Sequence, residues 1–314
     1  MGVIRMKVLL ADGLQKQSID ELEQLGLEVC SKHFDASELG SELKKYDAVV
    51  VRSATKITKE VIDDELGGNL KLIIRAGVGI DNIDVKYAES NNIAVNNTPN
   101  ASSISVAELT IAHMLSVARF LNISNVTMRQ NQWNKKKYVG CELYGKTLGL
   151  IGMGRIGKEV AKRAAAFGMR VIYFDSLYNE DIGDYKFEQF DDLLKKADFI
   201  TLHVPYDKKR GALIGKDEIE KMKDGAYLIN CARGKVVDEA ALLEALNSGK
   251  LSGAGIDVFE NEPSTNVELL SNPKVSITPH IGASTKEAQQ RIGREVVLTL
   301  KDFFNIGDKV VIGV

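Results

Sequence analysis

A glycine-rich turn near the middle of the chain constrains the fold more than any other feature. Gly152, Gly154 and Gly157 follow the apolar run Thr147–Ile151. A strand that leads through such a turn into a helix is the signature of a dinucleotide-binding unit. The first glycine makes the tight turn, the second lets the backbone approach a pyrophosphate, and the third lets the helix pack on the strand. The anion then lies at a helix N-terminus, where unpaired N–H groups favour it.

The residue after the next predicted strand indicates which dinucleotide binds. Residues 171–174 are apolar, and Asp175 follows them directly. An acidic side chain at this point accepts hydrogen bonds from the hydroxyls of a ribose and repels a 2′-phosphate. The sequence therefore predicts NAD rather than NADP.

Composition excludes several classes of protein. The net charge of the 314 residues is −2, without the basic excess of a nucleic-acid-binding protein. The three cysteines form no disulfide framework and favour a reducing compartment. No apolar stretch approaches the roughly 20 residues of a membrane span, and no metal site is predicted. We therefore expect a cytoplasmic protein with no nucleic-acid or membrane partner.

The first part of the chain alternates predicted strands and helices, as a parallel α/β sheet requires. Ser18 is expected to open the first helix as its N-cap. Residues 105–121 are apolar on every face, which predicts a buried helix whose cover is a domain junction or a subunit interface. The predicted strands lie at 8–10, 48–51, 72–74, 93–95, 147–151, 171–174, 199–203, 226–229, 253–256 and 275–278, and the other helices at 18–25, 59–66, 85–90, 239–246 and 285–304.

This order of elements predicts two doubly wound parallel-sheet α/β domains. The last predicted helix is long enough to carry the chain back to the first domain. We therefore expect a central Rossmann NAD-binding domain at residues 99–289, inserted into a flavodoxin-like substrate domain made of residues 1–98 and 290–314.

Three side chains in loops after strands have the chemistry for hydride exchange with a 2-hydroxy acid. His280 could exchange the hydroxyl proton, Arg233 could bind the carboxylate with its planar fork, and Glu262 could favour the imidazolium. Each also has an ordinary interpretation, as a structural histidine, a surface arginine or a solvated glutamate. His203 also ends a strand and is the only rival base, whereas His113 is expected to be a packed core group.

In the first domain, Arg52 and Ser53 end one buried strand, and a turn at residues 75–79 ends another. Backbone N–H groups of a glycine-flanked turn can bind an anion. A tight turn beside a surface arginine explains the local sequence equally well.

Taken together, these segments resemble the D-2-hydroxyacid dehydrogenase family, and within it the phosphoglycerate dehydrogenases, over essentially the whole chain. The resemblance implies NAD-dependent oxidation of 3-phosphoglycerate to 3-phosphohydroxypyruvate, which opens serine biosynthesis. The runs that carry it are 51–56, 75–77 with Gly79, 81–82, 97–100, 145–157, 230–234, 257–259 and 279–289.

The resemblance also implies roles for individual residues. The catalytic residues fall on Arg233, Glu262 and His280. The implied cofactor contacts are Val78, Gly152, Gly154, Arg155, Ile156, Gly157, Asp175, Val204, Cys231, Ala232, Arg233, Asp257, His280, Gly282 and Ala283. The implied substrate contacts are Arg52, Ser53, Val78, Gly79, Arg233 and His280, with Gln289 as a weaker candidate.

The chain departs from its relatives in three places. Val78 and Val204 stand where some relatives carry hydroxyl residues. The chain ends just after the last predicted helix, so serine feedback through a C-terminal regulatory domain is not expected. The resemblance further implies a homodimer formed through 105–121 and the following segment, with Lys135–Lys137 directed at the neighbouring active site or simply solvated.

Two other functions remain open from the sequence. Another D-2-hydroxyacid dehydrogenase, such as a hydroxypyruvate or glyoxylate reductase, has the same catalytic residues. An NAD-sensing binding protein, like the C-terminal-binding corepressors, has the same fold but uses it for partner peptides.

Overall fold

The structure, a computed structural model, describes residues 6–306. The chain divides into two compact units, residues 1–102 with 283–314 (unit 1) and residues 103–282 (unit 2). The predicted domain boundaries, after residues 98 and 289, lie a few residues from these. Residues 1–5 and 307–314 of the predicted substrate domain lie outside the described residues.

Unit 1 is built on a five-stranded parallel sheet with the order β2-β1-β3-β4-β5. This is the predicted flavodoxin-like order, in which the direction of winding reverses between β1 and β3. Its elements are β1 (Lys7–Leu10), α1 (Lys16–Gln24), β2 (Glu28–Ser31), α2 (Ala36–Leu43), β3 (Ala48–Val51), α3 (Lys59–Glu65), β4 (Leu72–Arg75), α4 (Val85–Ser90), β5 (Ala94–Asn97) and the C-terminal helix Lys286–Phe303, α12 in chain order.

Both faces of this sheet are covered by helices. Successive residues of a strand point to opposite faces, so each strand contributes to two clusters. Leu9 packs in a cluster with Leu43 of α2 and Ile62 of α3, whereas Val8 packs on the other face with Val296 of α12. The C-terminal helix therefore completes the core of unit 1, as the sequence predicts.

Unit 2 is a seven-stranded parallel sheet with the order β12-β11-β10-β9-β6-β7-β8, and the predicted Rossmann order is confirmed within it. The winding reverses between β6 and β9. Its elements are α5 (Ser103–Ala118), α6 (Leu121–Arg129), β6 (Thr147–Ile151), α7 (Arg155–Ala166), β7 (Arg170–Phe174), β8 (Lys186–Phe187), α8 (Phe190–Lys196), β9 (Phe199–Leu202), α9 (Lys216–Lys221), β10 (Ala226–Asn230), α10 (Glu239–Ser248), β11 (Leu251–Ile256), α11 (Val267–Ser271) and β12 (Val275–Ile277).

Helix α5 is largely buried within unit 2 itself. It packs against α7 and against β10, β11 and β12. One narrow stripe, formed by Ile104, Glu108 and Ala112 at four-residue spacing, is exposed. The helix ends earlier than predicted, because Phe120 adopts a left-handed backbone (φ 55°) that separates it from α6.

One predicted cap is wrong. Helix α1 begins at Lys16 with Gln15 as its N-cap, and Ser18 is buried inside it. A side chain at Gly293 of α12 would overlap the Ser18 hydroxyl. Ser18 is therefore a small residue at a close contact between two helices rather than a cap.

Among residues 6–306, no single helix is both long and apolar enough to cross a membrane. Only the bent pair α5 and α6 meets those conditions together, by length and composition alone.

Candidate active site

The glycine turn lies at the switch point of the unit 2 sheet, between β6 and β9. A Cβ at Gly152 (φ 98°) would lie 2.5 Å from the carbonyl oxygen of His203 at the end of β9, and one at Gly157 would overlap the carbonyl of Gly152. Gly154, in contrast, has no atom within 4 Å of its Cβ position. It is the N-cap of α7, and no side chain caps that helix. The turn thus leaves open space beside free N–H groups, which fits a pyrophosphate.

Asp175 lies at the carboxyl end of β7 and is tied to the glycine turn. One carboxylate oxygen accepts a hydrogen bond from the Met153 amide and the other from the Leu177 amide, both at 2.7 Å. A carboxylate has about four acceptor sites, so two remain for the hydroxyls of a ribose. The arrangement fits the predicted preference for NAD.

Val204, Arg155 and Ile156 surround the same turn. Val204 follows β9, and its side chain lies close enough to Gly152 to obstruct a side chain there. Arg155 and Ile156 form the start of α7. These predicted cofactor contacts therefore lie at one edge of the sheet.

The imidazole of His280 and the carboxylate of Glu262 form a hydrogen-bonded pair in unit 2. His280 Nδ1 lies 2.7 Å from Glu262 Oε2, and Glu262 Oε1 accepts a hydrogen bond from the Phe259 amide at 3.1 Å. Each of the paired side chains is 36% exposed. Burial alone would raise the pKa of Glu262, but the hydrogen bond and charge of His280, the Phe259 amide and the charge of Arg233 together lower it. Glu262 is therefore a carboxylate at neutral pH and holds a proton on Nδ1.

The loop that carries Arg233 packs backbone to backbone against the loop that carries Glu262. A Cβ at Gly234 would overlap the carbonyl of Phe259, so only glycine permits this contact. Asn230, at the end of β10, fixes the Arg233 loop from the other side. Its side-chain oxygen Oδ1 accepts a hydrogen bond from the backbone amide of Ala232 at 3.0 Å, and its side-chain Nδ2 donates to the backbone carbonyl of Arg233 at 2.9 Å.

Asp257 anchors the loop that carries His280. One of its oxygens accepts from the Thr278 hydroxyl (2.5 Å) and the Ile281 amide (2.8 Å), and the other from the Gly282 amide (2.9 Å). His280 adopts a left-handed backbone (φ 53°), which costs about 1–2 kcal/mol for a residue with a Cβ. The buried carboxylate of Asp257, which contacts Thr278 before His280 and Ile281 and Gly282 after it, therefore holds His280 in an otherwise unfavourable conformation.

Cys231 and Ala232 are both 7% exposed, beneath the Arg233 loop. Burial raises the pKa of the Cys231 thiol to about 12, so this cysteine stays protonated and is not a nucleophile.

The surroundings of His203, the rival base, suit a general base less well than those of His280. Burial lowers its pKa to about 3, and Nε2 is hydrogen-bonded to the Thr201 hydroxyl at 3.1 Å. Among residues 6–306, its Nδ1 is buried and has no hydrogen-bond partner, acidic or otherwise. His280, which is partly exposed and paired with a carboxylate, has the geometry of a general base.

In unit 1, the loop after β3 is fixed by two side chains. Asp12 accepts hydrogen bonds from the amides of Arg52 (2.5 Å) and Thr55 (3.2 Å) and from the Thr55 hydroxyl (2.7 Å). Asn82 donates to the carbonyls of Arg52 (2.7 Å) and Thr55 (2.6 Å). Burial lowers the pKa of Arg52, and the charge of Asp12 opposes that effect, so Arg52 stays cationic.

A cavity of about 480 Å³ opens at the switch point of unit 1, between the ends of β1 and β3. The basic residues that line it are Lys32, His33 and Arg52. The acidic residue that lines it is Asp12, whose carboxylate holds the loop after β3 and lies near His33. The complete lining is Leu10, Ala11, Asp12, Gly13, Ser31, Lys32, His33, Arg52, Ser53 and Ala54.

The other predicted substrate residues of unit 1 have their own anchors. Asn97 donates to the carbonyl of Val78 at 2.6 Å and so fixes the turn that includes Gly79. Gln289 donates to the carbonyl of Ala283 at 2.8 Å, which connects α12 to the segment before it.

Sequence reasoning missed the residues that hold these loops, namely Asp12, Asn82, Asn230 and Thr278. Asp12 follows a buried strand and Asn230 ends one, so the strand-end rule that selected Arg52 and His280 could also have selected these two. Asp257 holds the Thr278 hydroxyl and the Ile281 and Gly282 amides, and its predicted contact with the cofactor stays a prediction.

A family model described as "D-isomer specific 2-hydroxyacid dehydrogenase, NAD binding domain" matches residues 111–282 of the chain. In sequence, the chain is 48% identical over 297 residues to a hydroxypyruvate reductase of Thermotoga maritima, covering 93% of this chain and 96% of that protein. It is 45% identical over 300 residues to a D-3-phosphoglycerate dehydrogenase of Methanocaldococcus jannaschii. That match covers 94% of this chain but only 57% of the relative's length.

The fold matches solved structures over nearly their whole length. One is a D-lactate dehydrogenase from Aquifex aeolicus complexed with NAD and lactic acid, with a TM-score of 0.84 and 35% identity, covering 95% of each chain.

Proposed function

Because this chain belongs to the D-isomer specific 2-hydroxyacid dehydrogenase family, with NAD as its cofactor, we propose that it oxidises 3-phospho-D-glycerate to 3-phosphohydroxypyruvate. The observation that carries this choice of substrate is the cavity at the switch point of unit 1. Arg52 and Lys32 line it, and two cations suit a phosphate better than an uncharged hydroxymethyl group.

The residues of unit 2 divide the chemistry of oxidation among them. NAD, when bound, accepts the hydride from C2 of the hydroxy acid. His280 accepts the hydroxyl proton at Nε2, because Nδ1 is held by Glu262. Arg233 binds the carboxylate and polarises the oxygen that becomes the ketone. Glu262 balances the charge of the imidazolium that forms.

The substrate residues of unit 1 bind rather than react. Arg52 binds the phosphate, with Ser53 and the backbone amides at Val78 and Gly79 as further donors. Gln289, whose amide already donates to Ala283, contributes least.

A hydroxypyruvate reductase is the second candidate, and one observation favours it. One relative of which the chain covers 96% is named hydroxypyruvate reductase. The two activities differ only in the phosphate, so the cations of unit 1 decide between them.

Paired substrates test the choice directly. The kcat/KM for 3-phosphoglycerate is measured against that for D-glycerate, and 3-phosphohydroxypyruvate against hydroxypyruvate. We expect a preference for the phosphorylated acid that shrinks at least tenfold in Arg52→Gln and Lys32→Gln. Lys71→Gln is the matched control. Lys71 directly precedes β4 and so lies at the amino ends of the strands, whereas the cavity lies at their carboxyl ends. Equal rates with both members of each pair would assign the chain to hydroxypyruvate instead.

The role of His280 is tested separately from the substrate. His280→Ala should lower kcat by about 10²–10⁴, while NADH binding, followed by its fluorescence, stays unchanged. Turnover within threefold of the unsubstituted enzyme would end the assignment of His280 as the base.

The proposal extends to the setting of the enzyme. Oxidation of 3-phosphoglycerate would place it at the start of serine biosynthesis, in the cytoplasm. We further propose a homodimer formed through α5, α6 and the segment after them. Leu121 of α6 and Trp133 and Val139 of the following segment are exposed apolar side chains. Lys135–Lys137 lies within that segment.

A further inference from the structure

His113 lies beneath the loop that carries His280, although the two are far apart in sequence. It is on α5, only 2% exposed, and close to β11, where glycine at 255 leaves room for its ring. Nδ1 lies 2.9 Å from the Ser276 hydroxyl and Nε2 lies 3.0 Å from the Thr278 hydroxyl. Both ring nitrogens are therefore bonded to residues at the end of unit 2.

The direction of these hydrogen bonds is fixed by Asp257. Its carboxylate already accepts two backbone amides, so the Thr278 hydroxyl must donate its single proton to it. The Thr278 oxygen then accepts a hydrogen bond from His113, which places the ring proton on Nε2. The other nitrogen, Nδ1, is left to accept from the Ser276 hydroxyl.

Burial supports this neutral form of His113. Burial lowers its pKa, and the charge of Asp257 opposes that effect. A neutral imidazole donates at one nitrogen and accepts at the other, which matches donation to Thr278 and acceptance from Ser276. A protonated ring would donate at both nitrogens, and the Ser276 hydroxyl would then have to accept rather than donate.

We propose that His113 is a positioning residue for the catalytic base. It orients the Thr278 hydroxyl toward Asp257, and Asp257 in turn holds the Ile281 and Gly282 amides just after His280. The inference rests on the proposed role of His280. Because the left-handed backbone of His280 is unfavourable, loss of this support should let the loop relax. A displacement of about 1 Å can cost roughly 10²-fold in rate.

Two amide substitutions at His113 separate positioning from mere packing. The amide nitrogen of His113→Gln reaches the position of Nε2 and can still donate to Thr278. The amide of His113→Asn is shorter, reaches the position of Nδ1, and preserves only the Ser276 contact. Both variants bury one primary amide at residue 113, so they are matched for polarity and differ in which hydroxyl the amide reaches.

The assay is steady-state oxidation of 3-phosphoglycerate with NAD, alongside melting temperature and NADH binding. We expect His113→Asn to lower kcat about tenfold with NADH binding unchanged, and His113→Gln to stay within threefold of the unsubstituted enzyme. The primary deuterium isotope effect with 2-deuterated substrate should rise in His113→Asn, because poor placement of the base slows the chemical step.

Thr278 supplies the second arm of the test. Thr278→Val should reproduce the loss, Thr278→Ser should not, and the His113→Asn/Thr278→Val double variant should lose no more than either alone, since they break one connection. Met114→Leu, a fully buried neighbour on the same helix, controls for general disturbance of the core and should leave kcat unchanged.

Two results would overturn the inference. One is that His113→Asn and His113→Gln lower kcat by the same factor and the melting temperature by the same amount, which would make His113 a packing residue only. The other is unchanged kcat in His113→Asn. Activity in His280→Ala would instead refute the proposed base, so the two failures are distinguishable.

Discussion

Replacement of Glu262 by glutamine should disable His280 as the proposed base by moving a proton across its imidazole ring. The Phe259 amide needs an acceptor, so the glutamine oxygen should keep the 3.1 Å contact that Glu262 Oε1 now makes. Its NH₂ group then faces His280 Nδ1, where the carboxylate now accepts at 2.7 Å. A donor at that position forces Nδ1 to accept, and the ring proton moves to Nε2.

The size of the loss follows from this tautomer. An imidazole protonated at Nε2 cannot take the hydroxyl proton of the substrate. The same chemical change in the serine protease triad costs about 10⁴ in kcat, but His280 is 36% exposed, so water can partly restore the active tautomer. We therefore expect kcat/KM for oxidation to fall about 10²–10⁴-fold, equivalent to about 3–5 kcal/mol of transition-state stabilisation.

Steady-state rates with 3-phosphoglycerate and NAD, measured with NADH affinity, check this expectation. Glu260→Gln is the matched control, because it removes a charge from the same loop without touching His280. Glu260 Oε1 accepts from the Glu239 amide at 3.0 Å, and glutamine can keep that bond. The reasoning fails if Glu262→Gln loses less than tenfold, or if Glu260→Gln loses as much.

Three further outcomes are expected. Gly234→Ala should separate the Arg233 and Glu262 loops, because its Cβ overlaps the Phe259 carbonyl; kcat/KM should fall at least tenfold with NADH binding retained, and an unaffected rate would contradict the contact. Asp175→Ala should relax discrimination against NADP, and an unchanged ratio of NAD to NADP efficiencies would contradict its role. Folding lowers the pKa of Glu262 below its ordinary value of 4.5. Its ionised form therefore stabilises the fold at pH values above 4.5, and this stabilisation is lost as the pH falls through the folded pKa. The difference in unfolding free energy between the unsubstituted protein and Glu262→Gln should therefore shrink in acid, as urea titrations at neutral and acidic pH can measure.

The buried strands could be predicted because their sequences are predominantly apolar. Ala48–Val51 and Thr147–Ile151 were predicted with the boundaries that the structure shows. Strands β2 and β8 were missed because Glu28–Ser31 and Lys186–Phe187 contain polar residues and no apolar run. The other two edge strands, β5 and β12, were predicted at residues 93–95 and 275–278. The break at Phe120 was missed as well, since nothing in an apolar helix marks a left-handed residue.

The site divides in the same way between local and distant information. Arg52, Arg233 and His280 could be selected because parallel sheets place strand ends at one edge. The residues that support them could not, because the contacts join distant segments, such as Asp12 with Arg52 or His113 with Thr278. For a histidine within an apolar helix, such as His113, the sequence does not show whether the ring is hydrogen-bonded to a distant segment or only packed in the core.

The left-handed backbone at residue 280 sets stability against activity. Asparagine and glycine occupy that region of backbone conformation more readily than other residues, yet neither can act as the base. A His280→Asn protein should therefore be inactive and yet melt no lower than the active enzyme. Such a protein could bind cofactor and hydroxy acid together without turning them over, which makes it the natural starting point for capturing the intact ternary complex.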